Sequence, residues 1–94
     1  MYIFSVSAKT RHDIDGFSKG QQVPFIVYIN FKDLYGAEKL CQIFVIKEGF
    51  YDVVIEKRKL LTEEKLLDPK VIDADKALKE AINTGYAIQL FSAH

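Results

Sequence analysis

The chain has 94 residues, of which 49% are hydrophobic, and its thirteen Lys and Arg balance thirteen Asp and Glu to a net charge of zero. That length holds one domain, and folding at this size buries only about 60–65% of the unfolded surface, so the core has to be efficient. A neutral balance supplies no long-range field to draw a polyanion or an anionic membrane, which counts against a dedicated DNA-wrapping protein, and five Gly with two Pro exclude a low-complexity linker.

Residues 2–8 alternate, with Tyr2, Phe4 and Val6 on one side and Ile3, Ser5 and Ser7 on the other. Period two with aromatic and β-branched residues predicts a strand. The segment 9–22 breaks this pattern with Gly16, Gly20 and a high density of charge, and reads as a mobile loop. Pro24 opens a second strand, 25–31, in which Phe25, Val27, Ile29 and Phe31 share one face while Ile26 and Tyr28 share the other. Apolar residues on both sides suit a central strand covered above and below.

Asp33 is an N-cap, and a helical period follows through Leu34, Ala37, Cys41, Phe44 and Val45, with Gly49 at the C-terminal cap. Ile43 and Ile46 fall outside that stripe, which implies cover on more than one side of the helix. Gly36 costs about 1 kcal/mol against Ala in a helix and suits a close packing contact. Residues 50–60 form a third strand, with Tyr51, Val53 and Ile55 expected on one face and Asp52, Val54 and Glu56 on the other. Thr62 starts a short helical turn that Asp68-Pro69 stops. A second main helix starts at Asp73 or just before it, with a stripe of Val71, Ala74, Leu78, Ala81 and Ile82 and a stop at Gly85; residues 86–91 close the chain as a strand.

The fold class is therefore α/β (α+β), a four-stranded mixed sheet in the order β-β-α-β-α-β with two main helices. Strand, capped helix, strand predicts a parallel pair joined by a crossover, with the N-terminal strand added as an antiparallel edge. A ferredoxin-like variant stands second, because residues 60–72 lack the hairpin that it needs between its helices. Four two-faced apolar strands exceed what two helices on one side can cover, and an uncovered apolar face points to a homodimer. Phe25, Tyr28 and Tyr51 are the expected interface residues. One helix on each face is the alternative, and it makes the chain a monomer.

Three groups of residues bear on chemistry. Lys9, Arg11 and His12 lie beside Asp13 and Asp15, where a general base or an anion site is one reading and a solvated loop the plainer one. Asp13 to Gly16 resembles part of a calcium loop, but the position of its last carboxylate ligand holds Gln22 and the flanks are strands. Lys57, Arg58 and Lys59 join Lys9, Arg11 and Lys19 in a basic rim suited to phosphate contact, without the aromatic-and-glycine pattern of an RNA-recognition sheet. Cys41 lies in an apolar stripe, where a thiol is inert, and two distant His with one Cys give no metal-ligand spacing.

The expectation is a non-enzymatic binding or regulatory module that acts through protein contacts, with itself or another protein as partner and no cofactor or metal. A nucleic-acid-associated factor using the basic rim, or a small-molecule-binding protein using the 9–22 loop, are the alternatives. One cysteine and an N-terminal stretch without the order of a signal peptide point to the cytoplasm and away from a membrane.

Overall fold

A computed structural model of the chain describes residues 1–14, 16–70 and 75–90, with the side chains of 63 and 90 left aside. Its elements are β1 (Tyr2–Thr10), β2 (Gln22–Ile29), α1 (Leu34–Lys47), β3 (Phe50–Leu60), α2 (Glu63–Leu66), α3 (Lys76–Thr84) and β4 (Tyr86–Leu90). The predicted fold class and element order are found. Val71, Asp73 and Ala74, expected at the start of the second main helix, and Phe91, expected at the end of the last strand, lie outside the described residues.

The caps explain where the main helices begin and end. Asp33 accepts the Gly36 N–H at 2.7 Å, and Asp75 accepts the Leu78 N–H at 3.1 Å. Each replaces a partner that the first helical turn lacks. Gly85 closes α3 at φ 101°, a left-handed conformation that costs glycine little and other residues more. Gly36 has the packing role expected of it: Phe31 leaves the strand pattern at Ile29 and lays its ring where a Cβ at Gly36 would stand.

The sheet order is β3-β1-β2-β4, and every neighbouring pair is antiparallel. This corrects two expectations, the mixed sheet and the edge position of β1. Tyr2 lies opposite both Ile29 and Leu60, so β1 is central, and β2 and β3 are parallel in direction but separated by it. Ile29 is also opposite Tyr86, so residues 61–85 leave and re-enter the sheet at the same end. The last strand therefore runs against β2 instead of along it. The hairpin of β1 and β2, closed by residues 11–21, has the shortest connection in the sheet and so the least loop entropy to lose; it places them side by side, leaving only the edges for the strands that follow the helices.

Each main helix covers its own face. Beneath α1 lie Phe4, Val6, Ala8, Val23, Phe25, Val27, Ile29 and Phe50, packed on Ala37, Cys41 and Val45. On the other face Tyr28 and Ala87 pack on Leu78 and Ala81 of α3, with Met1 and Leu61. The two-sided apolar pattern of β2 is thus satisfied within one chain.

The connection between β1 and β2 is folded. Phe17 enters the α1-side core, and Ile14 and Phe17 exchange backbone hydrogen bonds of 2.9 and 2.7 Å. The Lys19 N–H donates to the Asp13 carboxylate at 2.7 Å.

Candidate binding surfaces

Two irregularities in β3 decide which side chains reach which face. Pairing slips between Ser5/Val6 and between Ser7/Lys9 of β1, and Asp52 takes φ 52° at the second slip. An extra residue reverses the alternation that follows it, and Asp tolerates the left-handed conformation better than most residues. Tyr51 consequently lies opposite Lys9 on the α3 side of the sheet, away from Val53 and Ile55, which pack under α1. This overturns the expected face for Tyr51. Lys57 and Lys59 share its side, opposite Ser5 and Ile3, while Arg58 is opposite Phe4 on the α1 side.

The basic rim is therefore divided. Arg58 pairs with Glu38 of α1, Lys9 lies 3.4 Å from the Asp52 carboxylate, and the Arg11 guanidinium lies 5.0 Å from the centre of the Tyr51 ring. His12 stacks its ring edge over Gly49, and its backbone is tied to the Thr10 hydroxyl by bonds of 2.7 and 3.2 Å. Among the described residues no hydrogen bond joins His12 to a carboxylate. Its neighbour Asp13 serves the loop backbone, and Asp15 lies outside the described residues.

Phe25 and Tyr28 do not offer surface to a partner. Phe25 is fully buried, with its ring 5.1 Å from that of Phe50, and Tyr28 is 6% exposed, its hydroxyl donating to Asp75 at 2.9 Å. Both are core residues, because the chain's own helices cover both faces. Tyr51 is half-buried beneath Arg11.

The exposed apolar side chains are elsewhere. Along the outside of α1 stand Tyr35, Ile43 and Ile46, at 68%, 52% and 52% exposure. Their spacing, with Lys39 and Gln42 between, makes a second stripe opposite the buried Ala37, Cys41 and Val45. The sequence pattern signals it, since Ile43 and Ile46 do not fit the buried stripe. A second surface is a cleft of about 640 Å³ at the end of the sheet, lined by Met1, Phe31, Leu60, Leu61 and Leu66. A third, of about 490 Å³, lies on the α3 side over Ile3, Ser5, Ile26 and Tyr28, with Lys57 and Lys59 at its edge.

Cys41 is buried on the sheet-facing side of α1, and its thiol is pushed up to about 12, first by burial and then by the Glu38 charge. The thiolate is the reactive form, so the folded protein should react with Ellman's reagent at neutral pH at least about a hundredfold more slowly than the urea-unfolded chain. Equal rates in the two states would show an accessible thiol.

Comparisons with protein-family models, curated proteins and solved structures find no match for this chain.

Proposed function

We propose that the chain is a non-enzymatic binding or regulatory module that works through protein contacts, as a homodimer joined along the outer face of α1. The observation that supports this is the stripe of Tyr35, Ile43 and Ile46 on a helix whose other side is already buried. A helix with one covered face ordinarily gives its outer face to polar residues, and an apolar outer stripe is what a partner helix would cover.

A two-fold axis through the middle of α1 sets the two helices antiparallel and makes the contact self-complementary. Tyr35 then stands near Ile46 of the second copy. Lys47, in the last turn, comes to the Asp33 end of the other helix, and the two helix dipoles oppose favourably. Lys39 already lies along Tyr35, its amine 5.4 Å from the ring centre, so its stem adds apolar cover.

Light scattering across a concentration range should give twice the protomer mass. Ile43→Glu with Ile46→Glu should raise the dissociation constant by about a hundredfold or more, because each copy loses two apolar anchors. Both positions are half-exposed in the protomer, so the doubly substituted chain should keep its fold. A wild-type protomer mass at every concentration tested would remove the reading.

A further inference from the structure

The α3 side of the sheet is only half covered. α3 packs on β4 and β2, where Tyr28 and Ala87 meet Leu78 and Ala81. A helix is about 10 Å across and strands are about 4.8 Å apart, so one helix spans about two strands. Four strands accept two helices side by side on one face. Among the described residues, α3 fills the place over β4 and β2, and the place over β1 and β3 holds the 490 Å³ cleft.

The chemistry of that cleft follows from register. Across the strands run Lys59, Ile3 and Tyr28 in one row, and Lys57, Ser5 and Ile26 in the next. The floor is aliphatic with one small hydroxyl, Ile3 and Ile26 being half-buried, and the wall at the β3 edge is two exposed lysines. Arg58 also lines the cleft at this edge, but its guanidinium is paired with Glu38; the ion pairs found among the described residues, Lys9–Asp52 and Arg58–Glu38, do not involve the two lysines. The carboxylate of Asp75, the N-cap of α3, is held by the Tyr28 hydroxyl and the Leu78 N–H.

We propose that this cleft is a docking site for an acidic amphipathic helix of a partner protein, which lies beside α3 with its apolar side on Ile3 and Ile26 and its carboxylates against Lys57 and Lys59. A helix fits where an extended peptide does not, because on a sheet face an extended backbone finds no ladder to satisfy its N–H and C=O groups. The lysine pair selects the sign of the partner's charge and speeds its approach. Single-stranded nucleic acid, the other polyanion of this size, would want rings to stack on; Tyr28 is buried, and Arg11 already occupies Tyr51. The site is on the opposite side of the sheet from the α1 stripe and does not rest on the dimer.

The test is fluorescence anisotropy with four labelled probes: an 18-residue helix-forming peptide of Leu and Glu in amphipathic order, the same composition scrambled, its Lys-for-Glu counterpart, and a dT20 oligonucleotide. The acidic amphipathic peptide should bind, and the other three should bind at least about tenfold more weakly. Lys57→Glu with Lys59→Glu should weaken that binding by about tenfold or more. Lys19→Glu with Lys32→Glu, the same charge change at exposed lysines outside both the cleft and α1, should leave it unchanged. Circular dichroism checks that both variants fold. Equal binding of the scrambled peptide would overturn the proposal in favour of charge alone, and stronger binding of dT20 would overturn it in favour of nucleic acid. No binding of the amphipathic peptide, or equal loss in the two charge variants, would also overturn it.

Discussion

Replacing Phe25 with Ala should cost about 3–5 kcal/mol, a large part of the stability of a domain this size. Phe25 sits on a central strand between Val6 of β1 and Leu90 of β4, fully buried, with Phe50 against its ring. Truncation removes the transfer energy of the ring and leaves a cavity that two neighbouring strands and α1 cannot close without breaking their register. A domain of this size has a total stability of about 5–15 kcal/mol, so the variant falls near the margin of folding at room temperature. Urea unfolding measures the effect as a lower midpoint at unchanged slope. Tyr51→Ala, on the outer strand and half-buried, should cost about 1 kcal/mol or less in the same assay. A Phe25→Ala cost that small would mean that Phe25 is at the surface after all.

The second large effect belongs to Asp75, whose two oxygens do separate work. One accepts the Leu78 N–H and caps α3; the other accepts the Tyr28 hydroxyl and ties that helix to the sheet. Asp75→Ala should cost about 2–3 kcal/mol, from a lost cap of about 1 kcal/mol and a buried phenol left without its acceptor. Tyr28→Phe should cost about 1 kcal/mol, and the double variant should fall short of the sum of the two singles. Additive costs would mean that the two side chains do not interact.

The same contact predicts an alkaline limb. Burial, followed by the hydrogen bond and charge of Asp75, pushes the Tyr28 phenol from 10.0 up to about 12. The folded state then holds the proton more tightly than the unfolded state does. This stability is full below pH 10 and is lost as the pH rises from 10 to 12. Cys41 titrates over an overlapping range, so the quantity to read is wild type minus Tyr28→Phe. That difference should fall by about 1–2 kcal/mol across the window, reaching zero or changing sign, allowing for solvent at the hydroxyl end. A difference that stays flat would mean that Tyr28 ionises alike in both states.

Much of the fold is legible in the sequence, because it rests on signals a few residues long. Asp33 and Gly49 bound α1, Gly85 stops α3, and period two marks 2–8 as a strand; each depends on local backbone chemistry that the rest of the fold does not alter. The strand order is not local. Whether two strands joined by a helix become neighbours depends on whether a hairpin already occupies the place between them, as β1 does here. Phe25 and Tyr28 are buried for the same reason. Phe25 and Tyr28 are surplus apolar surface only if both helices choose one face, and nothing within either helix states that choice.

The third strand shows the limit at finer scale. Alternation assigns Tyr51 to the side of Val53 and Ile55, and two slips in pairing move it to the other, placing Lys57 and Lys59 over Ile3 and Ser5. A bulge is settled between two strands, by how each must bend to keep its ladder, so a strand read alone does not show it. The second apolar stripe of α1 was legible in Ile43 and Ile46, and only the folded chain shows that its own elements leave them exposed.

By itself, the sequence determined the fold class, the order of the elements and the caps at Asp33 and Gly85, because those follow from periodicity and from hydrogen bonds within a turn of chain; it did not mark Asp75 as the cap that starts α3. Tertiary structure alone decided the antiparallel order, the division of the two helices between the faces, and which charged and apolar side chains share a surface. Those outcomes come from competition among distant segments for the same strand edges and the same apolar faces, and no single segment carries the result of that competition.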